Sequence, residues 1–139
     1  MIHIPVDVFA QIQKNGEEHY PEEGAGLLLG KVHGEKRIVE QVLQLQNRFQ
    51  PGARHNRYMI EPQDMLLAEE KADELGLEII GVFHSHPDHP AQPSEYDRER
   101  ALPWYSYIIT KVTDQSAIES RSWRLTDERT FTEEQLQIE

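Results

Sequence analysis

The chain contains no cysteine. That absence removes disulfides, thiol nucleophiles and every cysteine-ligated zinc site, so a metal here must be held by histidine, aspartate or glutamate. Long apolar runs are missing too, and none approaches the roughly 20 residues that span a bilayer. The opening stretch MIHIPVDVF has no basic region leading into an apolar segment. No export signal is therefore expected, and the cytoplasm is the expected location. Positive charge is scarce: 14 basic residues stand against 25 acidic ones, a formal net charge of −11. Nucleic-acid binding needs a positive surface, so no nucleic-acid partner is expected, and no membrane partner either. Internal repeats, low-complexity tracts and the HExxH signature are all absent.

What is present fits one domain spanning residues 1–139, large enough to bury a core. Ile2 to Ile4 reads as a short strand. Pro5 then suits the first turn of a helix whose Val8, Phe9 and Ile12 share a face, with Asn15-Gly16 and Pro21 marking its end. GAGLLLGKV, 24–32, reads as a buried strand. RIVEQVLQLQ, 37–46, is expected to pair with it across His33-Gly34-Glu35. Arg57 to Ile60 is expected as a short strand. EPQDMLLAEEKADELGL is a helix opened by Pro62 and stopped by Gly76, with Met65, Ala68, Ala72 and Leu75 on one face. EIIGVFHSH, 78–86, is a strand and SEYDRERAL, 94–102, a short helix. YSYIITKV and IESRSWRL are late strands, and TEEQLQIE is a final helix or strand. Strands and helices mix throughout, which indicates an α/β fold with helices on the faces of a central sheet.

Acids and bases are unevenly spread. Residues 61–78 carry seven acids and one lysine, whereas NRFQPGARHNRY, 47–58, carries Arg48, Arg54 and Arg57 and no acid. The plain reading of that basic stretch is a solvated loop. The functional one is a rim that meets an acidic partner or a carboxylate.

The chemistry concentrates in GVFHSHPDHPAQPSEYD, 81–97. Residues i and i+2 of a strand share a side, so His84 and His86 project together at the strand's end. A loop then returns to Ser94, where a helix begins, and Asp97 on its first turn can point back at both rings. Two imidazoles and one carboxylate make three protein ligands, leaving a fourth tetrahedral position for water. Ser94 and Asp97 also fit a plain helix start, with Ser94 as N-cap. His89 has no matching spacing and reads as a loop histidine, with a place on the pocket rim second. A base is still required, and the acids before GLLLG supply candidates. From the residues alone Glu22 and Glu23 are tied, and Glu17 and Glu18 stay open.

The stretch HSHPDHPAQPSEYD resembles the JAMM motif of the JAB1/MPN/Mov34 metalloprotease family. PEEGAGLLLG resembles that family's upstream element, with Glu23 at the glutamate position and Glu22 as a spacer. The likeness covers essentially the whole chain, including RSWRL and EEQLQI, and is strongest to the small stand-alone prokaryotic members. Ala25 stands where many relatives have cysteine, at a position that is not a ligand. The resemblance implies a three-layer α-β-α sandwich like that of cytidine deaminases. It also implies one Zn2+ per chain on His84, His86 and Asp97, with Glu23 as general acid/base and Ser94 as a hydroxyl donor to the oxyanion. The implied activity is hydrolysis of an amide after the C-terminal Gly-Gly of a ubiquitin-like or sulfur-carrier protein, with release of cysteine or another adduct. The tail is expected to add as a strand to a sheet edge near the zinc. Two other readings compete. A silent scaffold of the same fold is expected to have lost ligands, and this chain keeps all of them. A RadC-like, DNA-repair-associated protein shares the motif but is disfavoured by the acidic balance.

Overall fold

The computed structural model describes residues 1–55 and 57–139. Eight strands form one sheet: β1 (Ile2–Ile4), β2 (Ala25–His33), β3 (Lys36–Leu45), β4 (Glu78–Pro87), β5 (Ser106–Thr113), β6 (Ser116–Leu125), β7 (Phe131–Glu134) and β8 (Leu136–Ile138). Three α-helices accompany them: α1 (Val6–His19), α2 (Pro62–Leu75) and α3 (Glu95–Arg100). The spatial order is β7-β6-β5-β4-β2-β3-β1-β8. β4 and β5 run parallel, as β1 does with both β3 and β8; the other pairs are antiparallel.

Alternation along the strands fills two cores, one on each face. Leu28, Val39, Phe83 and Ile108 meet Val8 and Ile12 of α1. Leu27, Val82, Tyr107 and Leu125 meet Ala68 of α2 on the other side. Helix, sheet and helix thus form the three-layer α-β-α sandwich expected from the sequence. Both cores bury short, mostly aliphatic side chains at under a tenth of their accessible surface, which supplies the main stabilising term.

Several local expectations need correction. α1 does not stop at Asn15-Gly16, which lie buried inside it. Gly16 is a point of close approach: a Cβ there would sit 3.0 Å from Val112 Cγ2 and 3.1 Å from Ser85 Cβ, so glycine lets the helix settle onto β4 and β5. Arg57 to Ile60 is extended but joins no strand. A buried asparagine side chain, Asn47, takes the Arg57 carbonyl and the Met59 amide in place of a neighbouring strand. Of the two forms left open for the C-terminal segment, strand is the one found, as two short strands. β7 and β8 lie at opposite ends of the strand order yet are separated by Gln135 alone. The sheet therefore curls until its two edges adjoin, and the Ile2 amide donates to the Gln135 carbonyl at 2.9 Å. β4 is paired on both sides as far as His84 and with β5 alone at His86 and Pro87.

A bulge interrupts the β2–β4 ladder. Leu28 pairs with Gly81 but Leu29 pairs with Ile79, which leaves Ile80 as the extra residue. Arg37 of β3, 7% exposed, fastens this point. Its Nη1 donates to the Ile80 carbonyl at 2.6 Å and to Ser106 Oγ at 3.3 Å, and its Nη2 donates to the Trp104 carbonyl. Replacing Arg37 with leucine strands two carbonyls without donors. The expected loss is on the order of 3 kcal/mol, read as a lowered urea midpoint with an unchanged slope; an unaltered midpoint removes Arg37 from this role.

Candidate metal centre and active site

The site is assembled by the alternation of β4. Ser85 faces the α1 side, where Gly24 binds it twice: the Ser85 amide donates to the Gly24 carbonyl at 3.0 Å and the Gly24 amide donates to Ser85 Oγ at 2.8 Å. His84 and His86 face the other way and are 1% and 4% exposed. Docking Gly24 at Ser85 carries its neighbour Glu23 to the ring of His84, with Oε1 3.3 Å from Nδ1. Glu23 is 2% exposed. Its backbone is held at both ends: its amide donates to the Arg54 carbonyl at 2.6 Å, and its carbonyl accepts from Asn47 Nδ2 at 3.0 Å.

Asp97 arrives from α3. The capping box at this helix start has two parts: the Asp97 amide donates to Ser94 Oγ at 3.1 Å, and the Ser94 amide donates to Asp97 Oδ2 at 2.9 Å. The same carboxylate lies 3.0 Å from His86 Nε2 through Oδ2 and 3.7 Å from His84 Nε2 through Oδ1. Helix capping and presentation to the imidazoles are thus one arrangement. Since Ser94 Oγ accepts from the helix amide, its own proton is free to point into the cavity.

The two histidines are held differently. His86 Nδ1 lies 2.8 Å from the Pro90 carbonyl. A carbonyl only accepts, so Nδ1 carries a proton; Nε2 donates to Asp97 Oδ2 when the ring is charged and offers its lone pair when the ring is neutral. His84 is stacked on Tyr58, ring centroids 4.4 Å apart. Burial alone would raise Asp97, but the charge of His84, the hydrogen bond to His86 and the Ser94 amide hold its carboxyl well below the usual carboxylate range. Burial alone would lower His86, but its bond to Asp97 and the charges of Asp97 and Glu23 raise it. Burial, followed by the charge of Asp97, pushes the Tyr58 hydroxyl well above an ordinary tyrosine, so it stays neutral at pH 7.

Glu23 Oε1 and both ring nitrogens of His84 are buried with no hydrogen-bond partner among the described residues. Glu23, His84 and His86 each offer a donor atom within 4.8 Å of the others. Lone pairs collected in this way, dry and unpartnered, call for a cation. Ligand atoms about 2.0–2.1 Å from a tetrahedral zinc are about 3.3 Å apart, and the 3.0 and 3.7 Å separations from Asp97 to the two imidazoles bracket that spacing. The nitrogen and oxygen donor set suits zinc.

A cavity of about 460 Å³ opens over the site, lined among others by Glu23, Arg57, His86, His89, Ser94 and Tyr96. His89 sits on its rim, exposed, edge-on to His86 at 6.3 Å. The four acids left open by the residues alone now separate. Glu22 is half-buried and outside the donor cluster, Glu17 accepts from the Ala117 amide at 2.8 Å, and Glu18 pairs with Lys14. The three arginines of the basic loop separate as well. Arg48 makes two 3.2 Å hydrogen bonds to Asp64, and Arg54 Nε donates to the Phe49 carbonyl at 2.7 Å. Of the three, Arg57 alone lines the cavity. Sequence reasoning missed Asn47 and Tyr58. Both lie in a stretch whose pattern signals only a polar loop; a side chain that bonds four backbone groups leaves no periodic trace.

The fold and the site define the class: the protein is a metallohydrolase of the JAMM type. The family of prokaryotic homologs of the JAB domain matches residues 5–126, and the chain belongs to it. It is 30% identical over 117 residues to a desampylase of Pyrococcus furiosus, covering 84% of this chain and 76% of that protein. It is 29% identical over 109 residues to a probable TtuB-protein conjugate cleaving protease of Thermus thermophilus, covering 78% of this chain and 69% of that one. A crystal structure of a JAB1/MPN domain protein from Archaeoglobus fulgidus superposes with a TM-score of 0.62 at 17% identity, over all of this chain and 97% of that one; at that identity the likeness is one of fold.

Two outcomes test the site. Freshly purified protein should hold about one zinc per chain, and His84→Ala or Asp97→Ala should lower that content sharply by elemental analysis. Protein that takes up no zinc even on addition refutes the assignment. Separately, Arg48 is expected to be structural. Its hydrogen bond and charge lower the pKa of Asp64, so the pair stabilises the fold above the unfolded aspartate value near about 4 and loses its effect as pH falls through the lower native value. Arg48→Ala should therefore destabilise at pH 7, and the difference from the parent protein should shrink in thermal melts taken toward pH 3.

Proposed function

We propose that the protein is a zinc-dependent isopeptidase that cuts the amide following the C-terminal Gly-Gly of a ubiquitin-like or sulfur-carrier protein, releasing cysteine or another amine-linked adduct. The observation that carries the reading is the buried, unpartnered carboxylate of Glu23 beside His84, in a cluster with His86 and Asp97. Support for the substrate class comes from relatives that are a desampylase and a probable conjugate-cleaving protease.

In this reading His84, His86 and Asp97 hold the zinc, which when bound supplies Lewis acidity to the scissile carbonyl and acidifies water. Glu23 takes the proton of the attacking water. Its burial and its doubly clamped backbone keep the carboxylate from swinging away. As the carbon–nitrogen bond breaks, the same carboxyl hands that proton to the departing amine. The free hydroxyl proton of Ser94 donates to the oxygen that gains charge, a preorganised role that costs no rearrangement at the moment of reaction. His86 is kept in the right tautomer by Pro90 throughout. Glycines at the end of the tail suit a site bounded by Tyr96, Pro90 and the metal-facing side chains.

Exchanging Glu23 for glutamine keeps size but removes the proton acceptor. Glu23→Gln should retain zinc and lose about 10²–10⁴-fold or more in kcat, measured by mass spectrometry on carrier adducts. Glu22→Gln should turn over near the normal rate. Loss of activity in Glu22→Gln with a normal Glu23→Gln moves the base by one residue; full activity in both refutes the mechanism.

A further inference from the structure

The cavity over the site holds one arginine, and its surroundings say what it binds. Arg57 is exposed and lies with its guanidinium 5.3 Å from the Tyr96 ring centroid and 5.8 Å from that of Phe49. Two aromatic rings hold the planar group in place without satisfying its donors. The other arginines of the loop are committed elsewhere, to Asp64 and to the Phe49 carbonyl. Glu95, on the same cavity wall, is taken by Arg98. Among the described residues Arg57 has no carboxylate partner.

Its backbone is tied to that of the base. Asn47, 6% exposed, donates from Nδ2 to the Glu23 carbonyl at 3.0 Å and to the Arg57 carbonyl at 2.9 Å. Its Oδ1 accepts from the Phe49 and Met59 amides at 3.0 and 3.1 Å. One buried side chain, with all four hydrogen-bonding positions used, fixes the backbone of Arg57 relative to that of Glu23. Glu23 faces the nitrogen that leaves, because it must protonate it. A cation that hangs from the same asparagine and lines the same cavity is placed to meet a charge on that leaving group.

Resting on the isopeptidase reading above, we propose that Arg57 anchors the α-carboxylate of the leaving group. The preferred substrate is then a carrier whose terminal glycine is joined to the α-amine of an amino acid with a free carboxylate. That carboxylate is two bonds from the leaving nitrogen and meets the guanidinium through paired, charge-assisted hydrogen bonds. A lysine ε-amine carries no carboxylate at that distance. Water adds its oxygen to the glycyl carbon, the carbon–nitrogen bond breaks, and Glu23 passes the proton to nitrogen. The products are a carrier ending in a free carboxylate and a free amino acid.

Three conjugates of one Gly-Gly carrier decide the matter: one to an amino acid through its α-amine, one to the same amino acid as its carboxamide, and one to a lysine ε-amine. The parent enzyme should favour the free acid over the carboxamide by roughly 10- to 100-fold in kcat/KM, the range of a charged hydrogen-bonded contact. Arg57→Gln should collapse that ratio to near one while zinc content and thermal midpoint stay unchanged, and Arg57→Lys should restore part of it. A ratio that survives in Arg57→Gln overturns the proposal, as does a parent enzyme indifferent to the carboxamide. A variant slowed equally on acid and carboxamide places the contact on the carrier tail and also overturns it. If the parent cleaves none of the three, the isopeptidase reading itself fails and takes this one with it.

Discussion

The active centre depends on the double hydrogen bond between Ser85 and Gly24. Ser85 lies between the two histidines and faces the opposite side of the sheet. By binding Gly24 with both its amide and its hydroxyl, it sets the start of β2 against the end of β4. That places Glu23 at His84. The contact leaves no room for a side chain: a Cβ on Gly24 would come within 2.3 Å of Asn15 Oδ1. A strand-end contact on the α1 face thus determines which side chains can meet on the other face.

Around that point the structure divides its tasks. The sheet and its two cores supply rigidity. The loop between β3 and α2 supplies the stacked Tyr58, the clamp of Asn47 and the cation Arg57. α3 is six residues long and buries only Asp97, so it is a mount for one carboxylate more than a structural layer. Its capping box makes that mount stiff, because the groups that start the helix are the groups that aim Asp97.

Much of this was legible in the sequence, and for identifiable reasons. The convergence of His84, His86 and Asp97 was readable because strand alternation and a helix N-terminus constrain where side chains point over short distances. α2 was found because Pro62, its apolar stripe and Gly76 agree. The tie between Glu22 and Glu23 was not broken by pattern, since both precede the strand and no periodicity applies there; the three-dimensional pairing of Gly24 with Ser85 separates them. The Arg57 to Ile60 segment was misread because its local composition suits a strand, while its backbone groups are met by the Asn47 side chain ten or more residues away in sequence. The closure of the sheet by β7 and β8 was invisible for a related reason. Nothing within four or three residues specifies a partner that lies at the opposite end of the chain.

The bulge at Ile80 has a geometric consequence. Ile80 packs toward α1, whereas Val82, two positions on, packs toward α2. An unbroken strand would have kept those two on the same side, and with them His84 and His86. The one extra residue, held by Arg37, inverts the facing of everything after it. Pressing the bulge flat with Ile80 kept in the ladder would turn both imidazoles toward α1, with Asp97 left on the far side of the sheet, whereas removing Ile80 outright would keep them where they are, because Leu28 and Leu29 already pair with Gly81 and Ile79. The parity of a single strand therefore decides whether this fold has a metal centre at all.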